Sequence, residues 1–415
     1  MSTPDRRRAV VTGLSVAAPG GLGTERYWKS LLTGENGIAE LSRFDASRYP
    51  SRLAGQIDDF EASEHLPSRL LPQTDVSTRY ALAAADWALA DAGVGPESGL
   101  DDYDLGVVTS TAQGGFDFTH REFHKLWSQG PAYVSVYESF AWFYAVNTGQ
   151  ISIRNTMRGP SAALVGEQAG GLDAIGHARR TVRRGPGWCS AVASTRRSTR
   201  GASSSQLSGG LVSTVADPER AYLPFDVDAS GYVPGEGGAV LIVEDADSAR
   251  ARGAERIYVR SPLRRDPAPG SGRPPALGRA AELALAEAGL TPADISVVFA
   301  DGAGVPELDR AEADTLARLF GPRGVPVTAP KALTGRLCAG GGPADLAAAL
   351  LALRDQVIPA TGRHRAVPDA YALDLVTGRP REAALSAALV LARGRHGFNS
   401  AVVVTLRGSD HRRPT

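Results

Sequence analysis

Apolar residues in this chain come mostly in continuous runs, not in strict alternation. The first run, RAVVTGLSV at positions 8–16, has the pattern of a strand buried on both faces, and the glycine-rich APGGLG turn follows it. Positions 77–93 place Tyr80, Ala84, Trp87 and Leu89 at helical spacing and stop on Gly93, which predicts an amphipathic helix with a glycine just past its end. A strand is predicted at 105–110, followed by a polar, aromatic-rich stretch from 113 to 142 that is too amphipathic for a linker. The second half alternates in the same way. Strands are predicted at 238–244, 256–260 and 295–300, and helices near 277–289, 308–320 and 344–355. A Pro/Gly/Arg loop spans 261–275. Two last apolar runs, 384–392 and 400–406, flank the turn RGRHGFN and predict a terminal antiparallel pair. Strands alternating with helices point to an α/β architecture. The two similar halves, 1–250 and 251–415, imply an internal duplication.

Composition narrows the class. The 415 residues carry 45 Lys+Arg against 45 Asp+Glu, a formal charge of zero, so no basic excess exists to neutralise nucleic-acid phosphates. Cys189 and Cys338 are too few for a disulfide framework or a four-thiolate zinc site, and neither lies at the strand-to-helix bend of positions 158–176. No cofactor or metal is expected. The N-terminal MSTPDRRRAVVTG lacks the apolar core of a signal peptide, and no apolar stretch reaches the length of a membrane span. The expectation is a cytoplasmic protein without membrane or nucleic-acid partners.

Candidate chemistry centres on the run RGPSAALVGEQAGGLDAIG, positions 158–176. It reads as a short strand ending at Val165 and a helix beginning near Gln168. A side chain at such a bend faces free backbone N–H groups and the positive end of the helix dipole, where thiol and hydroxyl nucleophiles are activated. The residue present is glutamine, which forms hydrogen bonds but no acyl thioester.

Over nearly its whole length, from VVTGLSVAAPG to GFNSAVVV, the chain resembles the ketosynthase branch of the thiolase-like condensing enzymes. The resemblance implies a thiolase-like fold of two duplicated αβαβα halves in five layers. It also implies that Gln168 stands where active members carry the acyl-accepting cysteine. Asp301, in ADGAGVP, matches the position of the first catalytic histidine, and Arg336 that of the second, while Lys331 is retained. Those histidines polarise the malonyl thioester and stabilise its enolate, work that an aspartate or a permanently charged arginine does poorly. With all three positions changed on a kept glycine scaffold, the chain looks like the chain length factor (ketosynthase beta) of type II polyketide synthases. No catalytic residue is then expected; Asp301 and Arg336 read as a structural ion pair and Lys331 as a scaffold contact.

This resemblance implies a heterodimer with a ketosynthase alpha subunit, an acyl carrier protein delivering malonyl units, and a growing polyketide in an interface tunnel. Phe116, Thr119 and Phe123 share one helix face at i, i+3 and i+7. They match the family's residues that close the tunnel's far end, with packing into the core as the competing reading. The aromatics Phe140, Trp142, Phe143 and Tyr144, in 135–154, are expected in the core and dimer face. Two rival functions stand beside this one. A malonyl-carrier decarboxylase could use Gln168 to supply the acetyl starter, or the chain could be a stand-alone thiolase-like binding protein. One stretch, 187–205, departs from the family pattern. Its six serines and three arginines between positions 190 and 205 should bury badly where a strand is wanted. A one-base shift in GC-rich codons would restore a strand and a Pro-Trp-Gly loop, and the nucleotide sequence tests this.

Overall fold

The computed structural model describes residues 8–406, apart from 96, 112, 186–188, 195–199, 255–256, 261–262 and 266–275. In chain order the main elements of the first part are β1 (Ala9–Ala18), α1 (Val76–Asp91), β2 (Leu105–Ser110), α2 (Phe116–Gln129), α3 (Val146–Arg154), β3 (Ala162–Leu164), α4 (Gly170–Val182), β4 (Cys189–Ser194) and β5 (Gly238–Asp245). The second part adds β6 (Ile257–Arg260), α5 (Leu277–Ala288), β7 (Val297–Phe299), α6 (Pro306–Phe320), β8 (Pro326–Thr328), α7 (Gly341–Asp355), β9 (Ala387–Arg393) and β10 (Phe398–Thr405). The terminal antiparallel pair predicted from the sequence is β9–β10, with Val390 opposite Val402.

The strands form one sheet whose order repeats. The first part runs β1-β5-β4-β2-β3 and the second β6-β10-β9-β7-β8, each first-fifth-fourth-second-third. The strand senses repeat as well. In both, the first two contacts are antiparallel and the next two parallel. The two sets join where β1 pairs antiparallel with β6. Helices α4 and α7 pack on each other and against strands of both sets, forming a central layer. Helix α1 covers the other face of the first set and α5 that of the second, so the layers alternate helix, sheet, helix, sheet, helix. The central core is made largely of Ala, Val and Leu, which fill narrow interlayer space without polar atoms. Gly13 shows how tight this is, because a Cβ there would meet Ala88 O at 2.5 Å where α1 crosses a bulge in β1. Among the described residues no helix is long and apolar enough to cross a membrane.

Two sequence readings need correction. The strand judged missing in 187–205 is present as β4, hydrogen-bonded to β2 on one side and β5 on the other. Ladder bonds use main-chain groups, and the run Ala191-Val192-Ala193 puts no proline or charge in their way. The residues as they stand therefore make the strand that a shifted reading frame was invoked to supply. Positions 187–188 and 195–199 of that stretch lie outside the described residues. The second correction concerns the aromatics, which are not in the core. Trp142 is 46% exposed, Phe143 49% and Tyr144 40%.

Candidate functional site

The bend at Gln168 forms as the sequence implies, with a sharper turn than expected. Strand β3 stops at Leu164, and Val165 is exposed. Glu167 takes φ +51°, and a single 3-10 turn over Glu167–Ala169 feeds α4. That left-handed residue swings the Gln168 side chain inward, where it is fully buried. Its amide lies against Gly341, the first residue of α7, so close that any Cβ there would collide with Nε2. Neither amide atom of Gln168 has a hydrogen-bond partner among the described residues.

The start of α7 is built like the start of α4. Cys338 has φ +50° and opens a 3-10 turn, Cys338–Gly340, that runs into the helix. Cys338 therefore sits at a second bend of the same kind, distinct from the one at Gln168. It is buried, and Gln206 Nε2 approaches its Sγ at 3.1 Å. A cysteine at the strained first position of this turn, and not at its inward-facing second, could be recognised only once the repeated topology was known.

Asp301 and Arg336 come together as an ion pair. Arg336 Nη2 donates to both Asp301 carboxylate oxygens at 3.1 Å, and both residues are buried. The Arg393 backbone N–H donates to Asp301 Oδ1 at 2.9 Å. Arg336 Nη2 also donates to Arg393 O at 2.8 Å, and its guanidinium lies over the Tyr232 ring. Burial alone would push Asp301 up, but Arg336, Lys331 and Arg393 outweigh it and hold the carboxyl below its ordinary value. Burial opposes the charge on Arg336 too, yet Asp301 and neighbouring acidic groups keep it firmly protonated. A saturated, permanently ionised pair offers no proton to donate or accept near neutrality.

Helix α6 holds the Asp301 loop in place. Glu312 accepts the backbone N–H groups of Asp301 at 2.8 Å and Gly302 at 3.0 Å, and Asp309 accepts those of Gly304 and Phe225. Burial raises Asp309 to about 7, with Glu312 adding to the rise against the two backbone donors. Lys331 Nζ donates to Ala300 O at 2.8 Å and Asp301 O at 2.9 Å, and pairs with buried Asp345 at 2.7 Å. Burial raises Asp345 to about 6 against the pull of Lys331. The retained lysine thus braces the loop, as a scaffold contact would. Sequence reasoning missed Arg393, Asp309, Glu312 and Asp345. Arg393 was hidden because RGRHGFN reads as a solvated turn, whereas Arg393 ends a strand buried along its whole length.

A surface cavity of about 390 Å³ opens over this cluster. Glu167, Arg336 and Arg393 line it and Gln168 does not, so it stops one residue short of Gln168. Phe116, Thr119 and Phe123 lie elsewhere, on α2. Asp75 fixes where that helix starts, capping α1 through Ser77 and accepting the Phe118 N–H at 2.9 Å. Phe118 and Glu122 anchor the inner face of α2. Phe116 is 41% exposed and Phe123 40%, which removes the core-packing reading for both rings. Trp127 extends the same face and packs against Phe123, with ring centres 5.4 Å apart and planes tilted by 48°.

Comparison with known proteins places this geometry. Residues 6–249 match the beta-ketoacyl synthase N-terminal domain and 268–364 the beta-ketoacyl synthase C-terminal domain. The chain is 61% identical to beta-ketoacyl synthase 2 of the actinorhodin polyketide from Streptomyces coelicolor, covering 95% of this chain and 98% of that one. It is 53% identical to the tetracenomycin polyketide synthase ketoacyl synthase beta subunit of Streptomyces glaucescens, covering 96% and 98%. Among solved structures, the ishigamide ketosynthase/chain length factor superposes with a TM-score of 0.86 at 25% identity, covering 96% of this chain and 99% of that one. A thiolase-like fold and identity at this level lead to one assignment: the chain belongs to the beta-ketoacyl synthase family, among the ketosynthase beta subunits, or chain length factors, of type II polyketide synthases.

Proposed function

We propose that this chain is the non-condensing, architectural half of a ketosynthase heterodimer, with residues 1–250 and 251–415 as its two thiolase-like halves. Its partner is a ketosynthase alpha subunit that receives malonyl units from an acyl carrier protein. The growing polyketide lies in a tunnel between the two subunits, in the cytoplasm. The ion pair of Asp301 with Arg336 carries this reading. It occupies both histidine positions with groups fixed in charge and fully engaged, while Gln168 cannot carry an acyl group. The exposed rings of α2 and of Trp142–Tyr144 supply the apolar face that a partner would cover. In this reading Phe116, Thr119 and Phe123 close the far end of the tunnel, and their two rings stop the chain at an octaketide-sized product.

The test is reconstitution. The chain alone, given malonyl-carrier protein, should form no carbon–carbon bond, and addition of the alpha subunit should yield polyketide. Gln168→Cys should gain a thiol that alkylating agents modify, without gaining elongation. Elongation by that variant without an alpha subunit would overturn the proposal.

One observation favours a second reading, decarboxylation of malonyl-carrier through Gln168. The unpartnered Gln168 amide has the hydrogen-bonding capacity to hold a thioester enolate. Against it, the Gln168 amide lies against Gly341 and is absent from the lining of the surface cavity. Release of carbon dioxide by the chain alone, lost in Gln168→Ala, would favour decarboxylation.

A further inference from the structure

The surface cavity has a use that the architectural role does not require. Its walls divide by chemistry. Leu211, Ala303, Val305 and Leu308 supply apolar lining, and Tyr232 and Arg395 supply polar groups. At about 390 Å³ it falls in the range of small-molecule sites, which combine apolar walls with a few convergent polar groups.

The charges around it are unequal in their commitments. Arg336 is held by Asp301, and Arg393 reaches Asp301 at 3.9 Å and Glu312 at 3.6 Å. Glu167 is tied down, its Oε2 accepting the Arg395 backbone N–H at 2.9 Å. The Arg395 guanidinium differs. Among the described residues no carboxylate oxygen lies within 4 Å of it, and its one hydrogen bond is to the Tyr232 hydroxyl at 3.3 Å. It reaches the cavity by lying flat on Gly209, where any Cβ would collide with its Nη atoms. Glycine at 209 therefore makes room for this arginine. Burial and the nearby thiol of Cys338 raise Tyr232, so its hydroxyl stays protonated and able to donate.

We propose that the cavity binds a short-chain carboxylic acid as its anion. The carboxylate sits on the Arg395 fork and the Tyr232 hydroxyl, and the alkyl tail lies on Leu211, Val305 and Leu308. Glu167, Asp301 and Glu312 offset most of the surrounding positive charge. Recognition therefore comes from the arginine fork and the apolar wall, not from a general field. An acid with both a head and a tail should bind better than a bare anion. The ligand stays in this cavity, whose lining does not include the fully buried Gln168.

Calorimetric titration of the full chain, alone and with its alpha partner, tests this with hexanoate, acetate and inorganic phosphate as probes. Hexanoate should bind saturably at one site, more tightly than acetate or phosphate. Arg395→Gln should weaken hexanoate binding about 10-fold or more, the loss of a charge-assisted hydrogen bond. Tyr232→Phe should weaken it less. If Arg395→Gln does not fold, Arg395→Lys keeps the charge, loses the fork and should still bind more weakly. No saturable hexanoate binding, binding unchanged in Arg395→Lys and Tyr232→Phe, or phosphate binding as tightly as hexanoate would each overturn the proposal.

Discussion

Two regions of this molecule invert the usual distribution of side chains, in opposite directions. Around Asp301, acids and bases are buried in the interior: Asp301, Asp309, Glu312 and Asp345 against Lys331, Arg336 and Arg393. On α2 and the segment after it, Phe116, Phe123, Trp127, Trp142 and Phe143 are turned outward. The buried charges found their partners within the chain, as ion pairs and as acceptors of backbone N–H groups. The exposed rings have none of comparable extent among the described residues. The buried cluster is thus self-sufficient, while the exposed rings offer an apolar surface that a partner could cover. Each departure from the usual pattern states a requirement, and the two together fit the architectural role proposed for this subunit.

The contrast can be broken hardest from the inside. Arg336→Ala should cost about 3–5 kcal/mol by leaving Asp301 short of its main counter-charge in a buried site. Asp301→Asn combined with Arg336→Met should recover much of that loss, because Arg393 keeps Glu312. Urea unfolding of the singles and the double gives the coupling, and a double variant as unstable as the sum of the singles would refute the pairing.

The next effect is a trend with pH. Asp309 titrates at about 7 in the folded chain because burial disfavours its charge. An unfolded aspartate titrates near pH 4, so between about 4 and 7 the folded chain keeps a proton that the unfolded chain has lost. The stability this group contributes is full below about pH 4 and is lost as pH rises to about 7. Asp309→Asn cannot titrate. The stability of wild type minus that of the variant should therefore fall across this window, and a flat difference would remove Asp309 from the account.

On the outer face, Trp142→Ala should weaken association with the alpha subunit by about 2 kcal/mol, roughly 30-fold. The isolated chain's own stability should change by less than about 1 kcal/mol, since the ring is half exposed. Expressed alone, wild type should aggregate or form weak dimers, and sedimentation with and without the partner reads both effects. A stable monodisperse monomer would mean the face needs no cover. The smallest effect belongs to Gln168. Its amide is buried without partners, so Gln168→Leu should be neutral or stabilise the chain by up to about 1 kcal/mol. A large destabilisation would show that the amide is satisfied after all.

Much of this was legible in the sequence, for reasons that differ by residue. Runs such as GAVLIVE and SAVVVTL could only be buried strands, and the repeat of strand and helix gave the layered α/β class. Gln168, Asp301 and Arg336 were found by position within glycine-rich motifs, and the structure brings Asp301 and Arg336 into contact. Arg393 was missed because an arginine beside glycines in a turn reads as solvated; only the fold shows Asp301 waiting for its N–H. The second bend, at Cys338, is not marked in the sequence, because the run before α7 lacks the flanking signal that marks the bend before α4. The aromatics at 140–144 are expected in the core and dimer face, and the exposure of Trp142, Phe143 and Tyr144 removes the core part of that expectation. Periodicity shows which face a side chain shares, as with Phe116 and Phe123, and leaves open whether that face meets the core or another protein.

The most direct measurement is the mass of the polyketides made by the reconstituted alpha subunit, carrier protein and this chain. Wild type should give octaketide-sized products. Phe116→Ala with Phe123→Ala, which costs far less at half-exposed positions than the about 3–5 kcal/mol of a buried phenylalanine, should leave a folded complex that makes longer chains. Products of unchanged length from a folded, active complex of the double variant would contradict the claim that this subunit sets length through that face.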